Sequence, residues 1–321
     1  MAIYLCHQSA LRYWLTMTGD RWLPDVAPDA SLARASANMR EIKRTPLPLE
    51  FSEDRPLHVL VPSSQEAHAL KGVVAHVWKG PLPQGAFFEL SGGNRVCSPE
   101  FAFLQMCARR PLVSAIELGC YLCGSFAVGD EGHGYAGERI QLTTPGQIEL
   151  LLDALPGQYG TARARAALSY VVAGTASPME VFLAMVFVLP PMLGGWDMPE
   201  VVANQRIDVD ENLRALAEAS YYKGDLYLPS VRGNVEYDSY EFHTGSYRLD
   251  HTQARRNVLE AMGVRTISAT WGQVGNFEQF EAFMWMVRKR FGLPRREFDL
   301  EERAAQRSLH RHLTSQTARL F

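Results

Sequence analysis

The most constraining stretch of this 321-residue chain is 221–271. It reads as a short strand (KGDLYLP), a turn (SVRGN), a second strand (VEYDSY), a helix over 248–262 that stops at Gly263, and a third strand (VRTISATW). Gly263 is a helix stop signal, and the short β-branched and aromatic runs are strand signals. A strand pair followed by helix and strand commits this part of the chain to an α/β unit. Helical patterns over 277–291 and 296–312 extend it.

Strand alternation puts Asp225 and Tyr227 on one face and Leu226 and Leu228 on the other. In the second strand Glu236 and Asp238 share one face, and Val235 and Tyr237 the opposite one. A hairpin would bring Asp225 beside Glu236 and Asp238. Three carboxylates on one face repel one another unless something positive sits among them. A divalent cation with oxygen ligands is the simplest partner, and such an ion could activate water and neutralise charge on a phosphodiester. The plain alternative is a solvated polar face of an antiparallel pair. His243 follows the strand, and Arg255 and Arg256 sit on the next helix, as a phosphate-handling site would need. Taken singly, His243 could equally be a satisfied loop histidine, and the two arginines ordinary helix surface.

The stretch GDLYLPSVRGNVEYDSYEFH, then RRNVLEAMG, then VRTISATW, resembles the nuclease domain of the very-short-patch-repair-like group, in the PD-(D/E)xK restriction-endonuclease superfamily. The resemblance spans roughly 160–275, including an upstream helical lead-in. It implies an α/β fold with a restriction-endonuclease-like mixed sheet flanked by helices, and a metal-dependent DNA endonuclease or nicking enzyme of DNA repair or phage defence. Asp225 matches the metal-binding Asp, Glu236 the first acid of the second strand, and His243 the histidine after it. Arg255 or Arg256 matches the helix arginine, and Glu180 the acid of the first core helix. Metal ligands would then be Asp225, Glu236 and Glu180, and the cofactor Mg²⁺ or Mn²⁺. Asp238 stands where the superfamily lysine often is, so Lys223, His243 or Arg255 would have to replace it. A catalytically decayed, DNA-binding or antitoxin-like regulator of a defence system is the alternative. Glu180 also has a local role open to it, because Ser177-x-x-Glu180 is a capping box.

Upstream, 57–62, 73–78 and 86–90 read as strands and residues 1–20 as a short amphipathic helix. Ser98-Pro99-Glu100 opens a helix, with serine as N-cap and proline in the first turn. Helices follow to about Cys123 and over 145–175. The Gly-rich 129–137 suggests a boundary, giving an α+β accessory domain over 1–140 and the nuclease-like part, with a basic C-terminal helix, over 141–321. His7–Leu11 and Val96–Phe103 are weakly similar to abortive-infection type IV antitoxin proteins. That similarity implies a DNA- or partner-protein-binding role for this part, the alternative being plain helix capping and packing.

The net charge of −3 excludes a uniformly basic nucleic-acid binder. It conceals nine basic and four acidic residues from Met286 onward, which leaves −8 to the residues before it. Clustered bases of this kind can grip phosphates, or simply form a solvated helix. The longest apolar run, 181–193, is interrupted by Pro190 and Pro191, so no membrane span is expected. No signal peptide is visible, and five cysteines fit reduced thiols and a cytoplasmic location. The Cys120-x-x-Cys123 pair lacks a second CxxC or a His pair at ligand spacing, which favours buried apolar cysteines over zinc ligands.

Overall fold

A computed structural model describes residues 1–19, 23–238, 246–315 and 320–321, with 246–252 described by their backbone alone. The fold is mixed α/β, with mixed sheets flanked by helices. It divides into two compact units, Met1–Val171 (joined by residues 320–321) and Val172–Gln316.

The first unit contains β1 (Tyr4–Leu5), α1 (His7–Leu15), α2 (Met39–Arg44), β2 (Leu57–Val61), β3 (Val73–Val77), β4 (Phe87–Glu89), β5 (Arg95–Cys97), α3 (Pro99–Cys107) and α4 (Leu112–Leu122). They are followed by β6 (Phe126–Ala127), β7 (Gly137–Glu138), α5 (Pro145–Ala154) and α6 (Thr161–Leu168). Five strands form a sheet in the order β3-β2-β1-β5-β4, with β1 parallel to β5 and antiparallel to β2. The expected N-terminal helix over 1–20 is therefore a strand followed by a helix. Ile3, Tyr4 and Leu5 are all buried, with β1 paired on one side to β2 and on the other to β5, and the helix begins after Cys6. Ser98 caps α3 as its sequence indicates, its Oγ accepting from the Phe101 N–H at 3.2 Å. The boundary expected at 140/141 moves to 171/172, because α5 and α6 pack against α3, and α6 also against α4. The Gly-rich 129–137 is instead part of the connection between the paired β6 and β7.

The second unit contains α7 (Pro178–Val188), β8 (Val202–Asp208), β9 (Tyr221–Leu228), β10 (Gly233–Asp238), α8 (Ser246–Ala261), β11 (Arg265–Thr270), α9 (Trp271–Val274), α10 (Phe277–Arg290) and α11 (Leu300–Thr314). The sheet order is β11-β10-β9-β8. The first three strands run as an antiparallel meander, and β11 returns parallel to β10 through α8. Strand β8 was not anticipated, because VANQRID shows no clean apolar alternation. Register lines up Ala203, Leu226, Val235 and Ile267 as one buried row across all four strands. The next position on each strand is polar: Asn204, Asp225, Glu236 and Ser268. Helix α7 is buried along most of its length and packs on β9. Trp196 then stacks edge-on with Trp285 and Phe298 at 5.0 and 4.9 Å. The turn that delivers Trp196 admits only glycine at 195, where a Cβ would meet the Leu189 carbonyl oxygen at 1.9 Å. Gly195→Ala is expected to destabilise this unit by about 2–3 kcal/mol, read as a lowered urea midpoint.

Among the described residues no helix is long and apolar enough to cross a membrane.

Candidate active site

Three neighbouring polar positions set the site: Asn204 on β8, Asp225 on β9 and Glu236 on β10. Asn204 adopts a left-handed backbone (φ 50°), a conformation asparagine tolerates better than most residues. The regular β8–β9 ladder skips this residue. Its amide donates to the Gly174 carbonyl at 2.9 Å and to Glu180 Oε2 at 2.7 Å. Neither β8 nor this asparagine was anticipated from sequence.

Glu180 lies in the first turn of α7 and is buried. Its carboxylate accepts from the Ala176 N–H at 2.8 Å, from Ser177 Oγ at 3.1 Å and from Asn204. Ser177 Oγ in turn accepts from the Glu180 N–H at 3.2 Å. The expected cap is thus real, although Glu180 reaches the backbone of Ala176 rather than that of the N-cap residue. Burial pushes the Glu180 carboxyl up to about 7, and the charge of Asp225 adds to the rise while its hydrogen-bond donors oppose it.

Asp225 sits where β9 and β10 separate. Regular pairing extends only to Val235 opposite Leu226, and beyond it Asp225 Oδ2 accepts from the Tyr237 N–H at 2.9 Å. The carboxylate so replaces a ladder bond. Burial raises its pKa and Asp238 adds to the rise, while Tyr237 and Arg255 work against it. Glu236 accepts from Asn234 Nδ2 at 3.0 Å and pairs with Arg255 at 2.7 Å. Its pKa is also raised by burial, with Asp225 and Asp238 contributing and Arg255 opposing. Asp238 thus lies near enough to raise the pKa of both Asp225 and Glu236, Asp225 adds to the rise at Glu236, and the charge of Asp225 reaches Glu180.

The positive partner is Arg255. Its guanidinium bonds Glu236 and the Lys223 carbonyl and lies 5.4 Å from the Tyr222 ring centre. Arg256, the other candidate, points elsewhere and lines a groove with Glu260, Thr266 and Met286. The Lys223 side chain is exposed and, among the described residues, forms no ion pair. His243 lies outside the described residues.

Mg²⁺ or Mn²⁺ fits this donor set in kind, since Glu180, Asp225, Glu236 and Asp238 offer only oxygens. The buried Asn234 Oδ1, with no partner among the described residues, adds another oxygen beside Glu236. The spacing is open: no three of the carboxylate groups bring oxygens within 4.8 Å of one another, and Arg255 holds Glu236. Arg255 and Asn234 both bond Glu236 Oε1, which leaves Oε2 as the oxygen a cation could take.

Most of the basic residues of the C-terminal segment have partners in the structure. Arg288 is buried and donates to the Trp196 and Pro294 carbonyls. Arg290 pairs with Glu260, Arg296 with Asp197 and Arg303 with Glu281. Arg295 and Arg307 lie over the rings of Trp285 and Phe277. Of this set Lys289 and Arg311 alone, among the described residues, have no such partner, and Arg319 lies outside them. Cys120 and Cys123 are both buried, one inside α4 and one at its C-cap, as the apolar reading expects.

The raised Glu180 pKa has a consequence for stability. The folded state holds this proton more tightly than the unfolded chain, whose carboxyl titrates near 4.5. The contribution is full below that value and is lost as pH rises towards about 7. It amounts to about 3 kcal/mol. Urea unfolding across that range should show this decline in wild type and a flatter profile in Glu180→Gln.

The chain matches no protein-family model, no curated protein and no solved structure.

Proposed function

We propose that Val172–Gln316 is a metal-dependent DNA endonuclease or nicking domain of the restriction-endonuclease-like kind, as the very-short-patch-repair-like resemblance implies. The observation that carries this is the meeting of Glu180, Asp225 and Glu236. They come from three elements of a helix, three-strand meander, helix, parallel-strand array, at the positions where the superfamily carries its acids. Asp225, Glu236 and Glu180 would hold the cation, with Asp238 adding negative charge to the cluster. A bound Mg²⁺ or Mn²⁺ supplies a Lewis acid that lowers the pKa of water and neutralises charge on the phosphate.

The chain's own groups have separable parts in this scheme. Arg255, once released from Glu236, carries a fork-shaped donor set suited to phosphate oxygens. Glu180, whose pKa burial raises to about 7 in the empty site, would be held ionised by a bound cation. Asn204 holds that carboxylate in place. Membership of a repair or defence system, and a DNA- or protein-binding role for Met1–Val171, rest on the sequence resemblances.

A second reading is favoured by one specific contact. The Arg255–Glu236 pair already neutralises an acid that a cation would need, as a decayed, DNA-binding regulator would allow. Supercoiled plasmid incubated with the protein and Mg²⁺ or Mn²⁺, beside Asp225→Ala and Glu236→Ala, separates the two. Metal-dependent nicking by wild type alone supports the nuclease. An intact plasmid that is nevertheless shifted in a gel supports the regulator.

A further inference from the structure

The first unit gathers one cysteine and three histidines that lie far apart in sequence. Strand β1 leads into Cys6, which takes the N-cap position of α1 without using its side chain as a cap. His7 follows with a left-handed backbone (φ 45°), held by its N–H donating to Gln105 Oε1 at 3.0 Å. A non-glycine residue in this region costs on the order of 1 kcal/mol. The conformation places His7 Nδ1 3.2 Å from Cys6 Sγ and stacks the imidazole on His76 of β3 at 3.6 Å between ring centres. His58 of β2 stands behind, its Nδ1 2.9 Å from His76 Nε2.

Cys6 Sγ and one ring nitrogen each of His7 and His76 all lie within 4.8 Å of one another. Among the described residues no other group of three His, Cys, Asp or Glu side chains does so. A tetrahedral ion with Zn–S near 2.3 Å and Zn–N about 2.0–2.1 Å needs donors roughly 3.3–3.7 Å apart. The His7 and His76 rings stack nearly parallel, at 16°, so one imidazole would have to turn for both in-plane lone pairs to meet a shared ion. In this cluster His58 Nε2 is buried with no partner among the described residues. Burial keeps the three rings neutral and, in the empty site, also keeps the Cys6 thiol protonated, so an ion would have to displace that proton. Cys6 is fully buried, so substrate could not reach it as a nucleophile.

The geometry points to a transition-metal site of the zinc class, with Cys6, His7 and His76 as protein ligands and a fourth position open. His58 orients His76 from behind, as a second hydrogen-bonding partner does for metal-bound imidazoles. Binding would convert the Cys6 thiol to a zinc-bound thiolate and release its proton to solvent. The thiolate offsets part of the ion's charge, which matters because Arg109 already places positive charge near His7 and His76. The sulfur and nitrogen donors distinguish this site from the all-oxygen cluster around Asp225, so the two should select different ions.

The test uses the full chain stripped with chelator and titrated with Zn²⁺, and separately with Co²⁺, whose thiolate charge-transfer band reports a sulfur ligand. Wild type should take up one Zn²⁺ per chain at this site and develop that band. Cys6→Ser should lose the band. His76→Phe, which keeps a ring against His7 on an edge strand, should weaken binding at least tenfold, while the exposed His68→Ala should bind as wild type. Circular dichroism establishes that each variant is folded, and should Cys6→Ser fail to fold, His76→Phe alone decides the matter. Absence of the cobalt–thiolate band in wild type, or equal affinity in wild type and His76→Phe, overturns the proposal.

Discussion

Asp225→Asn is expected to remove metal-dependent cleavage, by on the order of 10²–10³-fold, while leaving the protein at least as stable as wild type. Asparagine keeps the shape and an oxygen that can accept from the Tyr237 N–H, the bond through which Asp225 spans the gap between β9 and β10. It removes the charge. Burial and the neighbouring Asp238 disfavour that charge in the folded state, so losing it relieves the structure. Activity and stability then move in opposite directions, the signature of a residue retained for chemistry at a structural cost. Plasmid nicking rates and thermal midpoints on the same preparations check this. A variant that cuts as wild type does, or one that unfolds, would assign Asp225 a purely structural task.

Arg255→Met is expected to destabilise the second unit by about 3 kcal/mol when divalent cations are chelated. Glu236 would then keep only its Asn234 partner, and Asp225 would lose the nearby guanidinium. The Arg255 side chain is 33% exposed and that of Glu236 15%, which puts the cost at the low end for a buried pair. The diagnostic feature is rescue. Mg²⁺ or Mn²⁺ should restore part of the loss, because a cation held by Asp225 and Glu236 takes over the neutralising role, and lowering the pH should do the same by protonating the carboxyls. Chemical denaturation with chelator and with Mg²⁺ gives both numbers. An identical loss under the two conditions would make Arg255 a structural counter-ion and would favour the regulator.

The acids of the site were legible because a strand writes its two faces in alternate letters. Leu226, Leu228 and Val235 had to be the buried side, which left Asp225, Glu236 and Asp238 on the other. The positive group that such a cluster requires was also foreseeable, but not its identity. Neighbours on a helix point about 100° apart, and only the packing of α8 shows that Arg255 rather than Arg256 reaches the carboxylates. Strand β8 escaped because its pattern is broken at Asn204, where a left-handed residue turns its amide onto Glu180. At the N-terminus, two strand residues followed at once by a helix carry no periodicity of their own, and their burial depends on β2 and β5, some 50 to 90 positions away. The partners of the basic tail, such as Glu260, Asp197 and Glu281, lie outside it in sequence and could not be read from its charge count. The same non-locality hid Cys6, His7, His58 and His76, three separate stretches of chain that only the sheet order brings together.

Mn²⁺ binding to wild type and to Asp225→Asn, followed by electron paramagnetic resonance above neutral pH, tests the central claim most directly. Mn²⁺ prefers the oxygen donors of the acidic cluster to the sulfur and nitrogen of the first unit. The account expects one Mn²⁺ to be withdrawn from solution per wild-type chain and none by Asp225→Asn. Equal uptake by the two proteins, or none by either, would contradict it.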